Sequence, residues 1–303
     1  MYENLINPGI SPQKLRNFFR LYHYILQINA NLHLFARCFK IDYSGIYVRE
    51  KSKHFITNHI LFSMKLTAFI TVAGLTAAIT TSCSSPQVKD NELSRDEKKE
   101  GYQLLFDGST LKGWHLYNLG DTASAWVAQD GEIRCLPGTD AEHGDLVTDG
   151  EFENYELKFD WKISKEGNSG VFINVVERPD IPTAWASGPE YQLLEKGHHD
   201  YEKEMKRSGC LYGFSSQLNP VELKPLEEWN HSVIKQQNGK IEFVLNDVVT
   251  ARNDFNSDQW KEAVANSNFK AFPEFGKQVK GRIALQDWNK GISFKNIKIR
   301  KID

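Results

Sequence analysis

The 303-residue chain has almost no charge bias: 37 Lys and Arg stand against 39 Asp and Glu, a formal net charge of -2. Nucleic-acid binding calls for a basic stripe facing the phosphates, so that function is excluded as the main one. Only four cysteines occur, with no Cys-x-x-Cys pair and no His/Cys ligand spacing, which argues against a structural zinc site. No Gly-x-Ser-x-Gly is present to build a serine nucleophile elbow. The stretch "GNSG" at 167–170 lacks the Lys-Ser/Thr and the following helix of a phosphate cradle. There is no internal repeat. Retaining jelly-roll glucanases carry Glu-x-Asp-x-x-Glu on one strand, and that is missing too; Glu190-Tyr-Gln offers a single acid where a two-carboxylate glycosidase needs a pair.

What remains is an ordinary soluble composition, 40% hydrophobic and 25% charged. Aromatics reach 12%, with seven Trp. Flat rings suit stacking against sugars, and they suit cores equally well.

The apolar run Leu66–Ile79 is shorter than the roughly 20 residues of a membrane span. It follows Met64-Lys65 and ends in small residues before Cys83, the order of a secretory signal with lipid attachment at Cys83. Thr80 and Thr81 depart from the aliphatic residues this pattern prefers. The expected organisation is therefore residues 1–63 outside the mature protein through a misassigned start, 64–82 a lipoprotein signal peptide, 83–100 a flexible tether and 101–303 the folded domain. The tether assignment rests on the polar run "SSPQVKDNELSRDEKKE". Export would leave Cys135 and Cys210 in an oxidising compartment, where pairing is open to them if geometry allows.

From Gly101 onward the pattern is that of strands. In "YELKFDWKI" the residues Tyr155, Leu157, Phe159, Trp161 and Ile163 share one face, with Glu156, Lys158, Asp160 and Lys162 on the other. "SGVFINVVE" follows after "KEGNSG", and the two are expected to pair as a hairpin. Further strands are expected at 102–106, 126–128, 132–135, 190–194, 210–214 and 230–236. A hairpin turning at Asn246-Asp247 and two final strands within 281–302 complete the set. One helix, capped by Ser257, is expected in "SDQWKEAVANS". Many short strands and little helix indicate an all-β sandwich or jelly roll of two antiparallel sheets.

In a sandwich the polar residues that alternate with core residues point outward. Asp160, Lys162, Glu190, Gln192, Gln286 and Trp288 are then candidates for a groove that takes hydroxyl-rich ligands, or simply the solvated faces of the sheets. His198, His199 and Asp200 follow the Glu190 strand on a loop, a frequent place for catalytic groups. His143 with Asp145 is a weaker candidate.

Several stretches in fixed order, "LLFDGSTLKGW" at 104–114, "NYELKFDWKI" and "GNSGVFI" within 154–173, "EYQLLE" at 190–195 and "GRIALQDWNKGISFKNIKIR" at 281–300, resemble the 3-keto-disaccharide hydrolase family. The resemblance implies a concanavalin A-like jelly roll and cleavage of 3-keto-glycosides by an exported lipoprotein. A sugar 3-dehydrogenase partner would first make the ketone. The acidified proton beside it is then removed, the glycosidic oxygen leaves, and water adds. It further implies Glu190 or His198 as base, Lys162 as enolate stabiliser, and Asn168, Gln192 and Gln286 as hydroxyl clamps. A divalent metal is an alternative to Lys162. The chain departs from the family at Trp288, where such sequences often carry His, and at Glu195, where they carry Asp. The competing readings are a non-catalytic carbohydrate-binding module, with Trp288 as stacking platform, and a surface interaction protein with a vestigial site.

Overall fold

The structure, a computed structural model, describes residues 88–303. The expected signal peptide, the lipidation residue Cys83 and residues 1–63 lie outside the described residues. Among the described residues no helix is long and apolar enough to cross a membrane.

In the described residues thirteen strands form two antiparallel sheets. The larger contains β1 (Gln103–Leu104), β3 (Trp126–Gln129), β4 (Glu132–Cys135), β6 (Tyr155–Ile163), β9 (Asn230–Gln237), β10 (Lys240–Leu245), β11 (Val248–Asp254) and β13 (Ile292–Lys301). Its order is β11-β10-β9-β6-β13-β4-β3, with β1 also paired to β13. The smaller sheet runs β2 (Trp114–Leu116), β5 (Leu146–Thr148), β12 (Arg282–Leu285), β7 (Asn168–Val175) and β8 (Glu190–Leu194) in the order β2-β5-β12-β7-β8. This is the two-sheet jelly-roll sandwich that the strand pattern indicates.

The core lies between the sheets. β6 supplies Tyr155, Leu157, Phe159, Trp161 and Ile163, all buried, as its alternation requires. Facing them from the smaller sheet are Val171, Ile173, Tyr191 and Leu193. Tyr191 crosses the core with its ring edge-on to Phe159 (5.8 Å) and Phe243 (4.9 Å), and its hydroxyl meets Ser232 at 2.9 Å and the Val244 carbonyl at 3.0 Å. The Trp161 indole N–H donates to the same Ser232 (2.9 Å). This buried polar knot pins β8 with Tyr191 inward, and by period two it turns Glu190 and Gln192 outward.

Three expectations change, and the open question of cysteine pairing is answered. "YELKFDWKI" and "SGVFINVVE" are not a hairpin: β6 pairs with β9 and β13, β7 with β8 and β12, so Ser164–Gly167 is an arch between the sheets. Both strands are buried on the sandwich interior, which a hairpin within one sheet would equally allow, so alternation alone could not tell the two apart. The expected strand at 210–214 is reduced to one bridge, Leu211 to Tyr191, before the chain turns. The tether is folded from about Asp90 onward. Asn91 and Asn296 exchange backbone–side-chain bonds (2.6 and 2.8 Å), and α1 (Arg95–Lys99) begins on a Ser94–Glu97 capping box. Cys135 and Cys210 are buried free thiols. The helix α2 (Asp258–Ala265) forms as expected, with Ser257 accepting from the Trp260 amide.

Candidate functional site

On the outer face of the smaller sheet, residues of neighbouring strands fall into rows. Glu190 of β8 stands opposite Phe172 of β7, and Gln192 stands opposite Gly170. Val171 pairs with Leu285 and Leu285 with Leu146, so Gln286 and Asp145 continue the Gly170 row across β12 and β5. The Gln286 amide donates to the Gly170 carbonyl (2.9 Å), which fixes that register just past the end of β12. Gly170 is the gap in the row. A Cβ built there would lie 2.1 Å from Glu190 Oε1, so the absence of a side chain is what lets the carboxyl fold over the strand.

A cavity of about 290 Å³ opens above this gap, lined by Asn168, Trp185, Glu190, Gln192, Tyr212, Phe269, Gln286 and Trp288. Polar groups form its floor and four rings its walls, the composition expected of a small-molecule pocket. Residues 209–212 run beside β8, with Gly209 N–H donating to the Gln192 carbonyl (2.8 Å) and Tyr212 N–H to the Glu190 carbonyl (3.1 Å), and this carries the Tyr212 ring to the pocket. Trp185 arrives on the 3-10 turn Ala184–Ala186, packed edge-on against Phe272. Trp288, 53% exposed, stands at the mouth.

Two floor groups have unfilled hydrogen-bond capacity. Glu190 Oε1 and Gln286 Oε1 are buried and accept no hydrogen bond. A buried acceptor left unpaired costs about 1–3 kcal/mol, so such atoms mark a place where a ligand donates. Gln192 instead donates to Asn168 Oδ1 (2.7 Å), which spends the Asn168 acceptor and leaves its NH2 as the group it can offer.

Burial drives the Glu190 carboxyl well above the usual carboxylate range; the negative charge of Asp145 adds to this and Lys206 opposes it. Asp145 is itself pushed up to about 7 by burial, with the charge of Asp287 contributing, against amide bonds from Asp287 and Ala184. Asp287 accepts from His143 Nδ1 (2.6 Å) and the Gly144 amide (3.3 Å). The ion pair with Asp287 raises the His143 imidazole.

His198 is buried but does not line the cavity. Its Nδ1 accepts from the Asp200 amide (3.1 Å), which places the ring proton on Nε2 and makes the exposed edge a donor. Burial and the charges of His199, Lys206 and Lys290 lower its pKa. His198, His199 and Asp200 have ligand atoms within 4.8 Å of one another. The Asp200 oxygens are already held by Lys203 (2.6 Å) and Lys206 (2.9 Å), two cations a metal ion would have to displace, so this trio does not suit a divalent metal.

The structure separates two of the sequence candidates from the rest. Asp160 and Lys162 lie on β6, hence on the outer face of the larger sheet, across the whole sandwich from Glu190. Lys162 pairs with Glu132 (2.8 Å) and sits over the Trp229 ring (4.6 Å). Asp160 bonds to His231 (2.7 Å) and Asn296 (2.6 Å). Alternation had given their face correctly but carries no information about which sheet they join. Asn168, Glu190, Gln192, Gln286 and Trp288 do come together. The groups the sequence did not offer are Tyr212, Trp185, Phe269 and Lys206. All stand on irregular segments between strands, where no periodic signal exists; only the density of aromatics hinted at them.

Residues 101–300 match the model of the 3-keto-alpha-glucoside-1,2-lyase-like domain. A 3-keto-disaccharide hydrolase of Bacteroides thetaiotaomicron is 28% identical over 253 residues, 75% of this chain and 87% of that protein. Two crystal structures from Parabacteroides distasonis, both provisionally named as glycosyl hydrolases, superpose. One has a TM-score of 0.65 at 32% identity, covering 71% of this chain and 100% of that one; the other reaches 0.53 at 23%, covering 66% and 99%. With the family match spanning nearly all of the described sandwich, the chain belongs to the 3-keto-alpha-glucoside-1,2-lyase-like domain family.

Proposed function

We propose that this chain cleaves 3-keto-glycosides, with Glu190 as the proton-transferring group. The observation that carries the reading is the pair of buried, unpartnered acceptors, Glu190 Oε1 and Gln286 Oε1, at the floor of an aromatic-walled pocket. Sugar hydroxyls are donors of the right kind for both. As they bind, their hydrogen bonds favour the ionised carboxylate, which then takes the proton from the carbon beside the ketone. The electron pair moves into an enolate and the glycosidic oxygen leaves with the proton that Glu190 has taken; Glu190 then takes a proton from the water that adds to the former anomeric carbon and delivers it to the carbon beside the ketone. One acid suffices for this route, unlike displacement at the anomeric carbon.

Lys162 is too far removed to serve the enolate. The cation available on this side is Lys206, which acts on the Glu190 charge and faces the Tyr212 ring at 5.5 Å, with the Asn168 NH2 and the Tyr212 hydroxyl as neutral donors. His198 stands outside the cavity lining and is kept neutral by burial, which leaves the base to Glu190.

The test is turnover of a 3-keto-disaccharide by the full chain, with its unoxidised parent as control and with a chelator in a parallel arm. Release of both halves from the keto sugar alone supports the reading. Binding without release in both arms favours a carbohydrate-binding module, for which the half-exposed Trp288 at the mouth is the supporting observation. The "MKLTAFITVAGLTAAITTSC" pattern supports export with lipid attachment at Cys83, and substrate chemistry supports a sugar 3-dehydrogenase acting first. Radiolabelled palmitate incorporation, lost in Cys83→Ser, tests the anchor.

A further inference from the structure

We propose that Asp145, although it does not line the pocket, is a positioning residue that sets the protonation of Glu190, the two carboxyls and the His143–Asp287 pair behind them working as one charge-coupled unit. This rests on the reading of Glu190 as the proton-transferring group and adds a partner to it.

The placement comes from sheet register. Gly170, Gln286 and Asp145 occupy one row on adjacent strands, and the Glu190 carboxyl fills the gap at Gly170. Gln286 lies between the two acids in this row, and its Oε1 is an unpartnered acceptor. Asp145 is fixed from behind: its Oδ1 accepts from the Asp287 amide (3.2 Å). Asp287 is fixed in turn by His143 Nδ1 (2.6 Å), the Gly144 amide (3.3 Å) and a turn bond from the Asn289 amide (2.7 Å). The titratable and charged groups facing Asp145 are Asp287 after β12, Tyr117 after β2 and the buried Cys135 thiol on β4, with His143 paired to Asp287 behind them. The charges acting on Glu190 are those of Asp145, which opposes its ionisation, and Lys206, which favours it.

Asp145 stands two strands from the Glu190 carboxyl on the same face, and its negative charge raises the cost of ionising the buried Glu190, so the proton stays there. Asp145 is the better supported anion of the two, since it holds amide bonds and Glu190 holds none. The resting site thus carries a proton-loaded Glu190 that releases its proton to solvent as substrate hydroxyls dock. His143, charged, partly neutralises Asp287 and relaxes the repulsion on the whole unit.

Full-length wild type, Asp145→Asn and His143→Gln are compared by two readouts. The first is the pH dependence of kcat/KM on the keto sugar. The second, independent of turnover, is the infrared band of the protonated Glu190 carboxyl, assigned by its loss in Glu190→Gln. Asp145→Asn should move both midpoints to lower pH by about one unit, and His143→Gln should move them the opposite way. A folded Asp145→Asn protein whose infrared midpoint stays in place, or both variants shifting in one direction, overturns the proposal. If the infrared midpoints shift as described while no keto sugar is turned over, the coupling stands and the reading of the reaction falls.

Discussion

The two outer faces of the sandwich are built from the same sequence pattern and do different things. On the larger sheet every outward acid described above has found partners: Asp160 with His231 and Asn296, Glu132 with Lys162 and Arg134, Glu156 with Tyr102, Arg300 and Lys235. On the smaller sheet Glu190 and Gln286 are no more buried than Glu132 and Glu156, yet they keep acceptors unpaired. Polar residues that close on each other stabilise the sheet; polar residues held apart are held for something else. The pairing, and not the residue type or its alternation, distinguishes the faces.

Breaking the contrast on the smaller face has the largest expected effect. Gly170→Ala puts a methyl where the Glu190 carboxyl lies, 2.1 Å from Oε1 and 2.7 Å from Cδ and Cγ. The carboxyl must swing away, and turnover should fall by about the 10²–10⁴-fold attributed to general acid–base catalysis, as far as in Glu190→Gln. Circular dichroism and unfolding show whether the sheet survives. A folded Gly170→Ala protein with near-normal kcat would show that the carboxyl does no work from this position.

Glu190→Gln also carries a stability signature. The folded protein holds the carboxyl proton at a pH where the unfolded chain, with its ordinary carboxylate, has released it. The native state therefore binds more protons over that window, and wild-type stability falls as pH rises from about 4.3 toward the elevated folded value. Glutamine has no such dependence. The Tm difference, variant minus wild type, should thus grow more positive from pH 4 to pH 8. A difference that stays flat would mean Glu190 is ionised in the fold.

Trp288 sharpens the comparison at the mouth. Its ring is half exposed and has no packing duty in the core, so Trp288→Ala should leave Tm unchanged. KM should rise about fivefold, the loss of ~1 kcal/mol of ring contact, with kcat held within about twofold. Equal effects on kcat and KM would place the ring at the reacting end of the substrate.

How far these differences were legible in the sequence depends on what alternation encodes. It assigns a residue to a face of its strand, which made Glu190, Gln192 and Tyr191 readable at once. It does not say which sheet the strand joins, so Asp160 and Lys162 looked equivalent to Glu190 until the arch after Ile163 sent β6 and β7 to opposite layers. Turn residues in "KEGNSG" are common to hairpins and arches. Lys206 and Tyr212 sit on an irregular crossing beside β8, positioned by backbone bonds from Gly209 and Tyr212 that have no sequence signature. The Asp145 role needed the register of β5, a three-residue strand too short to announce itself.

The smallest expected effect lies on the opposite face, and it is the sharpest control. Lys162→Met removes a cation from Glu132 and from the Trp229 ring, where Lys295 stacks at 4.5 Å and remains. The pair is mostly shielded from solvent, but Arg134 still reaches Glu132 at 2.8 Å and keeps the acid paired, so the loss should stay at ~1 kcal/mol. Stability should drop slightly and kcat/KM should stay within about twofold of wild type. Lys206→Met, the same change on the pocket side, removes the cation that opposes the Glu190 proton and should move the kcat/KM profile toward higher pH. If Lys162→Met silenced the enzyme while Lys206→Met did not, the assignment of chemistry to the smaller sheet would be wrong, because no charge effect of that size crosses a packed apolar core to reach one face and spare the nearer one.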